Sequence, residues 1–255
     1  MNHNLLFVIA KYSIWEAIRD KFLIFIFAGI AGLFFISVFI GELTITEGGM
    51  TQAAILGSAL RLFAVFTIGL FVITSMTREF NDKGFELILS HPVPRFSYYF
   101  GKFAGFSFVA LIVAFICICC LCFYVPFSAA LIWSLSLFCE LLIIISLSLL
   151  CVFSFNSITI SFSIVMAFYL LSRSIEAIQL ISDSPIVAIG SMSHRFMNGL
   201  LDVIAYLIPD LNKFTQTDWL IYGSEYNFSL VVVQTLIYVM LLSCVSLFDL
   251  YRKEL

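Results

Sequence analysis

Apolar residues run nearly unbroken through six stretches of the chain, approximately 22–41, 60–77, 102–125, 129–153, 157–180 and 228–249. A helix needs about 20 such residues to cross about 30 Å of hydrocarbon, because each backbone amide must be satisfied within its own segment. The pattern therefore predicts an all-α polytopic membrane protein with six transmembrane helices in one domain, 1–255. The second stretch is the shortest and carries Arg61 near one end, where a long basic side chain is expected to snorkel to the headgroups. Before the first stretch, 5–21 mixes Lys11, Tyr12, Trp15, Glu16 and Arg19 with Ile14, Ala17 and Ile18. That mixture predicts an interfacial helix lying in the headgroup plane.

Composition identifies the solvent. Only 11% of residues are charged and 62% are hydrophobic, with 29 phenylalanines, whereas a soluble domain carries about 25% charged residues. Lipid, not water, must cover such a surface. The net charge of −3 and the lack of any basic run argue against a nucleic-acid partner. No small-residue cleavage site follows the first apolar stretch, so it is expected to be retained. All seven cysteines lie in apolar stretches, which implies no disulfide framework.

With six spans, the N-terminus, the 78–101 loop, the 154–156 turn and the C-terminus share one side. They hold Lys11, Arg19, Lys21, Arg78, Lys83, Arg95, Arg252 and Lys253. The opposite connections, 42–59, 126–128 and 181–227, carry mostly acids, with only Arg195 and Lys213 against them. The positive-inside bias puts the first side in the cytoplasm.

Charge, turn chemistry and amphipathicity coincide in one loop, 78–102. At about 100° per residue, Glu79, Asp82, Lys83, Glu86 and Ser90 share one arc, with Phe80, Phe85, Leu87, Ile88 and Leu89 covering the rest. A short helix over 79–90 is expected, ended by Pro92 and Pro94, which lack an amide donor. On periodicity alone it is either a docking handle for a soluble partner or an interfacial helix that anchors the loop.

The order Arg78-Glu79, Lys83-Gly84-Phe85-Glu86-Leu87-Ile88-Leu89, Pro92-Val93-Pro94-Arg95 and Gly101-Lys102 resembles the coupling-helix signature of type 2 ATP-binding-cassette (ABC) transporter permeases. The likeness is nearest to the permease of the nitrous-oxide-reductase maturation transporter, and 206–212 with Asp218-Trp219 resembles the external segment of that subgroup. Pro94 and Phe85 depart from the residues common in the family, Ser and Thr. The resemblance implies a permease subunit of an exporter in a bacterial inner membrane, paired with a second permease copy or paralogue. An ABC ATPase subunit would dock on the cytoplasmic coupling helix through Arg78, Glu79, Asp82, Lys83, Gly84, Glu86 and Arg95. The chain contains no G-x-x-x-x-G-K-[ST] phosphate loop, so ATP is expected on that partner, with no cofactor here.

Other polar residues admit two readings each. Glu140, near the middle of the fourth span, either lines a path or pairs with another helix, Arg173 among the candidates, or is a protonated packing residue. Arg173 and Glu176, one turn apart, form a local ion pair or a substrate site. Cys117, Cys119, Cys120 and Cys122 cannot converge on one ion from a single helix, so no metal is expected. His3, His91 and His194 all lie outside the spans, which removes paired intramembrane histidine ligands. Gly-Ser-Met-Ser-His at 190–194 lacks the closing glycine of a serine-nucleophile motif. The loop 181–227 is expected to fold as short helices over the external mouth. An intramembrane enzyme, or a non-transporting scaffold that transmits force from an ATPase, are the competing classes.

Overall fold

In a computed structural model of the chain, residues 3–43, 48–82, 94–182, 208–221 and 228–252 are described. They form α1 (His3–Arg19), α2 (Phe22–Leu43), α3 (Gly48–Asn81), α4 (Arg95–Leu121), α5 (Phe127–Phe155), α6 (Ile158–Ser182), α7 (Asp218–Ile221) and α8 (Phe228–Arg252), with a 3-10 turn at Leu211–Lys213. The protein is an all-α polytopic membrane protein, with no strand among the described residues. Six helices, α2 to α6 and α8, are long and apolar enough to cross a membrane.

Local chemistry sets the helix ends. Pro94 and Pro126 stand immediately before α4 and α5 in extended backbone, where the missing N–H is not needed. Asn156, at φ 50°, caps α5 in the left-handed conformation, and its N–H bonds to the Val152 carbonyl at 3.1 Å. The tight α5–α6 hairpin follows from that reversal. Lys21, also left-handed at φ 55°, turns α1 into α2.

The third span starts at Arg95 instead of 102 and ends at Leu121, because the chain reverses through 122–126 before Pro126. The second is longer than the apolar count predicts, with 34 residues in α3. Its polar start is held by α2, where the Ser37 hydroxyl donates to the Gln52 carbonyl at 3.3 Å. At its other end residues 79–81 continue α3. The remainder of the helix expected over 79–90 lies outside the described residues from 83 onward.

Packing makes α5 the hub. It lies against α3, α4, α6 and α8, and 72% of its apolar window is buried against 17% for α2, whose apolar side chains are mostly exposed. Aromatic rings join the layers: Phe22 of α2 stacks on Phe71 of α3 at 4.0 Å, and Phe71 meets the edge of Phe106 of α4 at 5.8 Å. The Tyr99 hydroxyl bonds to Ser243 of α8 at 3.0 Å.

α1 lies along α4, burying Ser13 and Ala17 while Tyr12 and Trp15 stay exposed. The close approach depends on Gly105. A Cβ there would stand 2.7 Å from the Ser13 Cβ and 2.9 Å from the Ala10 carbonyl oxygen, whereas one at Gly32 would meet nothing within 4 Å. Gly105→Leu should therefore separate α1 from α4 at a cost of about 1–3 kcal/mol, read as a lower thermal midpoint in detergent, with Gly32→Leu unchanged. Equal midpoints for the two variants would refute this packing.

Candidate functional site: two polar clusters at opposite ends of the bundle

At the end where α3 finishes and α4 begins, adjacent residues of α3 reach in different directions. Arg78 pairs with Glu16 at 3.0 Å and with Asp20, both of α1. Glu79 accepts from Lys102 at 2.5 Å and from the Tyr98 hydroxyl at 3.0 Å, both of α4. Lys102 also stands 4.0 Å from Glu16 and lies over the Phe106 ring. With the Lys102 side chain only 6% exposed, this pair is shielded from salt and water far better than a surface ion pair.

Arg95 begins α4 and donates to the Leu250 and Tyr251 carbonyls at 2.7 and 3.1 Å, which are among the last of α8. A cation there also complements the negative end of the helix dipole. Segment 83–93 is thus bracketed by anchors to α1, α4 and α8. Asp82 is exposed just after α3. Lys83, Gly84 and Glu86 lie outside the described residues.

Toward the opposite end, the segment 208–217 enters the bundle between α3, α5 and α6. Arg61 of α3 donates to the Thr215 carbonyl at 3.1 Å. Arg173 of α6 donates to the Leu211 and Phe214 carbonyls at 2.5 and 2.9 Å. Glu140 of α5, wholly buried, accepts from the Thr215 hydroxyl at 2.8 Å, and the Thr215 N–H bonds to the Ser136 hydroxyl at 3.0 Å. Thr215 itself is left-handed at φ 44°, which bends the chain so that its carbonyl and hydroxyl serve different helices. α7 follows and seats Leu220 against Gly57, where a Cβ would lie 2.7 Å from the Leu220 side chain.

Arg61 departs from expectation. It turns inward and is buried, because α3 continues to Gly48 and leaves the residue well inside the helix, where carbonyls of 208–217 are nearer than headgroups. Arg173 spends its donors on the same segment, and Glu140 and Arg173 meet through it and not as a direct ion pair. The Glu176 side chain lies outside the described ones. Arg61 Nε has no hydrogen-bond partner among the described residues, and the Tyr169 hydroxyl faces the Glu140 carboxylate. Thr215, Ser136 and Tyr169 were invisible in sequence, since a threonine or serine among many carries no signal of its partner. Cys117 is buried while Cys119 and Cys122 are exposed, and no metal-ligand cluster occurs among the described residues.

A family model described as ABC-2 family transporter protein matches residues 42–248, from the end of α2 into α8. No curated protein matches the chain. The matched stretch contains every residue of the buried cluster and Arg78, Glu79 and Arg95, while Glu16, Asp20, Leu250 and Tyr251, which they hold, lie outside it.

Glu140→Leu should be destabilising by about 3 kcal/mol, because it strands the Thr215 hydroxyl and removes the carboxylate facing Arg61 and Arg173. Glu140→Gln keeps an acceptor and should cost about 1 kcal/mol. Unfolding midpoints in mixed micelles check both values. A Leu variant as stable as the wild type would contradict the assignment.

Proposed function

The chain belongs to the ABC-2 transporter family and is a transmembrane ABC permease, and on that premise we propose that it is an exporter subunit driven by a separate ATPase docked on 79–90. The supporting observation is the bracketing of segment 83–93 by Arg78, Glu79 and Arg95. A push on that segment is delivered to α1, α3, α4 and α8 together, because each is tied to it through a charged contact. α5, packed against three of the membrane helices that frame it, passes the displacement toward the Glu140 cluster.

In this reading both termini lie in the cytoplasm of a bacterial inner membrane, where Lys21, Arg78 and Arg95 satisfy the positive-inside bias. A second copy or a paralogue completes the pathway, lipid surrounds the exposed faces, and ATP is bound by the partner. Substrate leaves outward or into the outer leaflet past 208–221. Within the family, 83–95 and 206–212 incline the proposal to the nitrous-oxide-reductase maturation branch.

Asp82 and Glu86 offer the cleanest variants, since Glu79 also holds α4. Affinity capture of the permease from its native host should recover an ATP-hydrolysing subunit. Asp82→Lys with Glu86→Arg should lower that recovery about tenfold, the loss of roughly 1.4 kcal/mol of binding, at an unchanged melting midpoint. Failure to recover any such subunit, or equal recovery with both forms, would count against the proposal.

A further inference from the structure

The buried cluster is closed by chain and not by charge. Two guanidiniums, Arg61 and Arg173, lie within electrostatic range of the Glu140 carboxylate, and Asp210, ion-paired with Lys213, lies within range of Arg173 as well. What they hold directly are three neutral carbonyls of 208–217. Hydrogen bonds in which both partners are ionised are stronger than bonds to neutral acceptors. An anion in place of those carbonyls would therefore bind the arginines better than the segment does. Polar capacity also remains in the same place: Arg61 Nε has no partner among the described residues, and the Tyr169 hydroxyl and Glu140, which face each other, leave the rest of their capacity unused. Unpartnered polar atoms in a water-poor interior are costly, so a ligand that satisfies them gains specificity.

We infer that the 208–217 segment is an internal stand-in for substrate, and that Arg61, Arg173, Glu140 and Tyr169 form a binding site for an amphiphile bearing one anionic headgroup and a hydroxyl or amide donor. The anion takes the places of the Leu211, Phe214 and Thr215 carbonyls on the arginines. The neutral donor takes the place of the Thr215 hydroxyl on Glu140. The apolar body follows from the surroundings: Arg61 and Glu140 lie inside spans rich in Phe, Ile and Leu, with Arg173 near the end of its span, so a ligand that reaches Glu140 immerses its remainder among apolar side chains. This assignment deepens the transporter reading and rests on it, by naming the class of substrate that the permease admits.

Competition between segment and ligand gives a test with opposite signs. Trp133 is fully buried beside Gly57 and α7, and Trp219 is in α7 itself, so displacement of the segment is readable by tryptophan fluorescence. The full chain in neutral maltoside micelles is titrated with dodecyl phosphate, dodecyltrimethylammonium and inorganic phosphate. Dodecyl phosphate should give a saturable change, weakened about tenfold by Arg61→Gln or Arg173→Gln, as for loss of about 1.4 kcal/mol of binding. Thr215→Val removes the hydroxyl that holds the segment to Glu140. It should tighten dodecyl phosphate binding, because a larger fraction of molecules is then open to ligand. That gain survives as a readout if an arginine variant does not fold.

An equal response to the cationic amphiphile, a full response to inorganic phosphate alone, or a Thr215→Val affinity no tighter than the wild type would overturn the site. The outcome is separable from the transporter reading. An ATPase complex that ignores all three compounds sinks the site alone, whereas binding without any ATPase partner sinks the transporter reading alone.

Discussion

A charge inside hydrocarbon persists only with partners, and the far half of this bundle is organised by that requirement. Arg61, Glu140 and Arg173 belong to three different spans and turn toward the interior of the bundle. The 208–217 segment has the reciprocal problem. The 3-10 turn satisfies the Leu211 carbonyl only through the Phe214 N–H and leaves the Phe214 and Thr215 carbonyls to the arginines, and non-helical backbone is tolerated in a membrane bundle only where protein or water satisfies it. Each side solves the other's deficit. The arginines close the carbonyls, the threonine hydroxyl closes half of the carboxylate, and the segment becomes part of the fold.

The two ends of the bundle differ in the kind of contact they use. Where α3 finishes and α4 begins, ion pairs join α1, α3 and α4, and a guanidinium holds the end of α8. Charge against charge at short range makes that end a stiff collar around the segment that follows α3. At the other end charge meets backbone dipole, a contact that a better acceptor can replace. Stiffness where force enters and exchangeability where a ligand would sit are what a driven pathway needs. α5, buried along most of its length, is the element that joins them.

Much of this architecture was legible in sequence because the signal is coarse. Six apolar windows, separated by prolines and polar turns, can be little else than spans. What sequence could not show was direction. The helical wheel drawn from residue 79 put Glu79 on the same outward arc as Asp82 and Glu86. Because α3 runs unbroken to Asn81, Glu79 instead points at Lys102 of α4. Arg61 is an end residue by the apolar run, which stops near it, yet α3 extends back through Gln52, whose backbone carbonyl accepts from Ser37 of α2. Thr215 is the extreme case. Its role rests on a left-handed backbone and on three helices distant in sequence, and none of these leaves a mark in the local pattern.

The central claim is that Glu140 and Thr215 act as a bonded pair inside the bundle. A double-mutant cycle on unfolding free energy, with Glu140→Gln, Thr215→Val and the two combined, measures that pairing directly. The structure predicts a coupling of about 1–2 kcal/mol, the double variant losing less than the sum of the singles. Costs that add to within about 0.5 kcal/mol would mean that the two side chains do not meet.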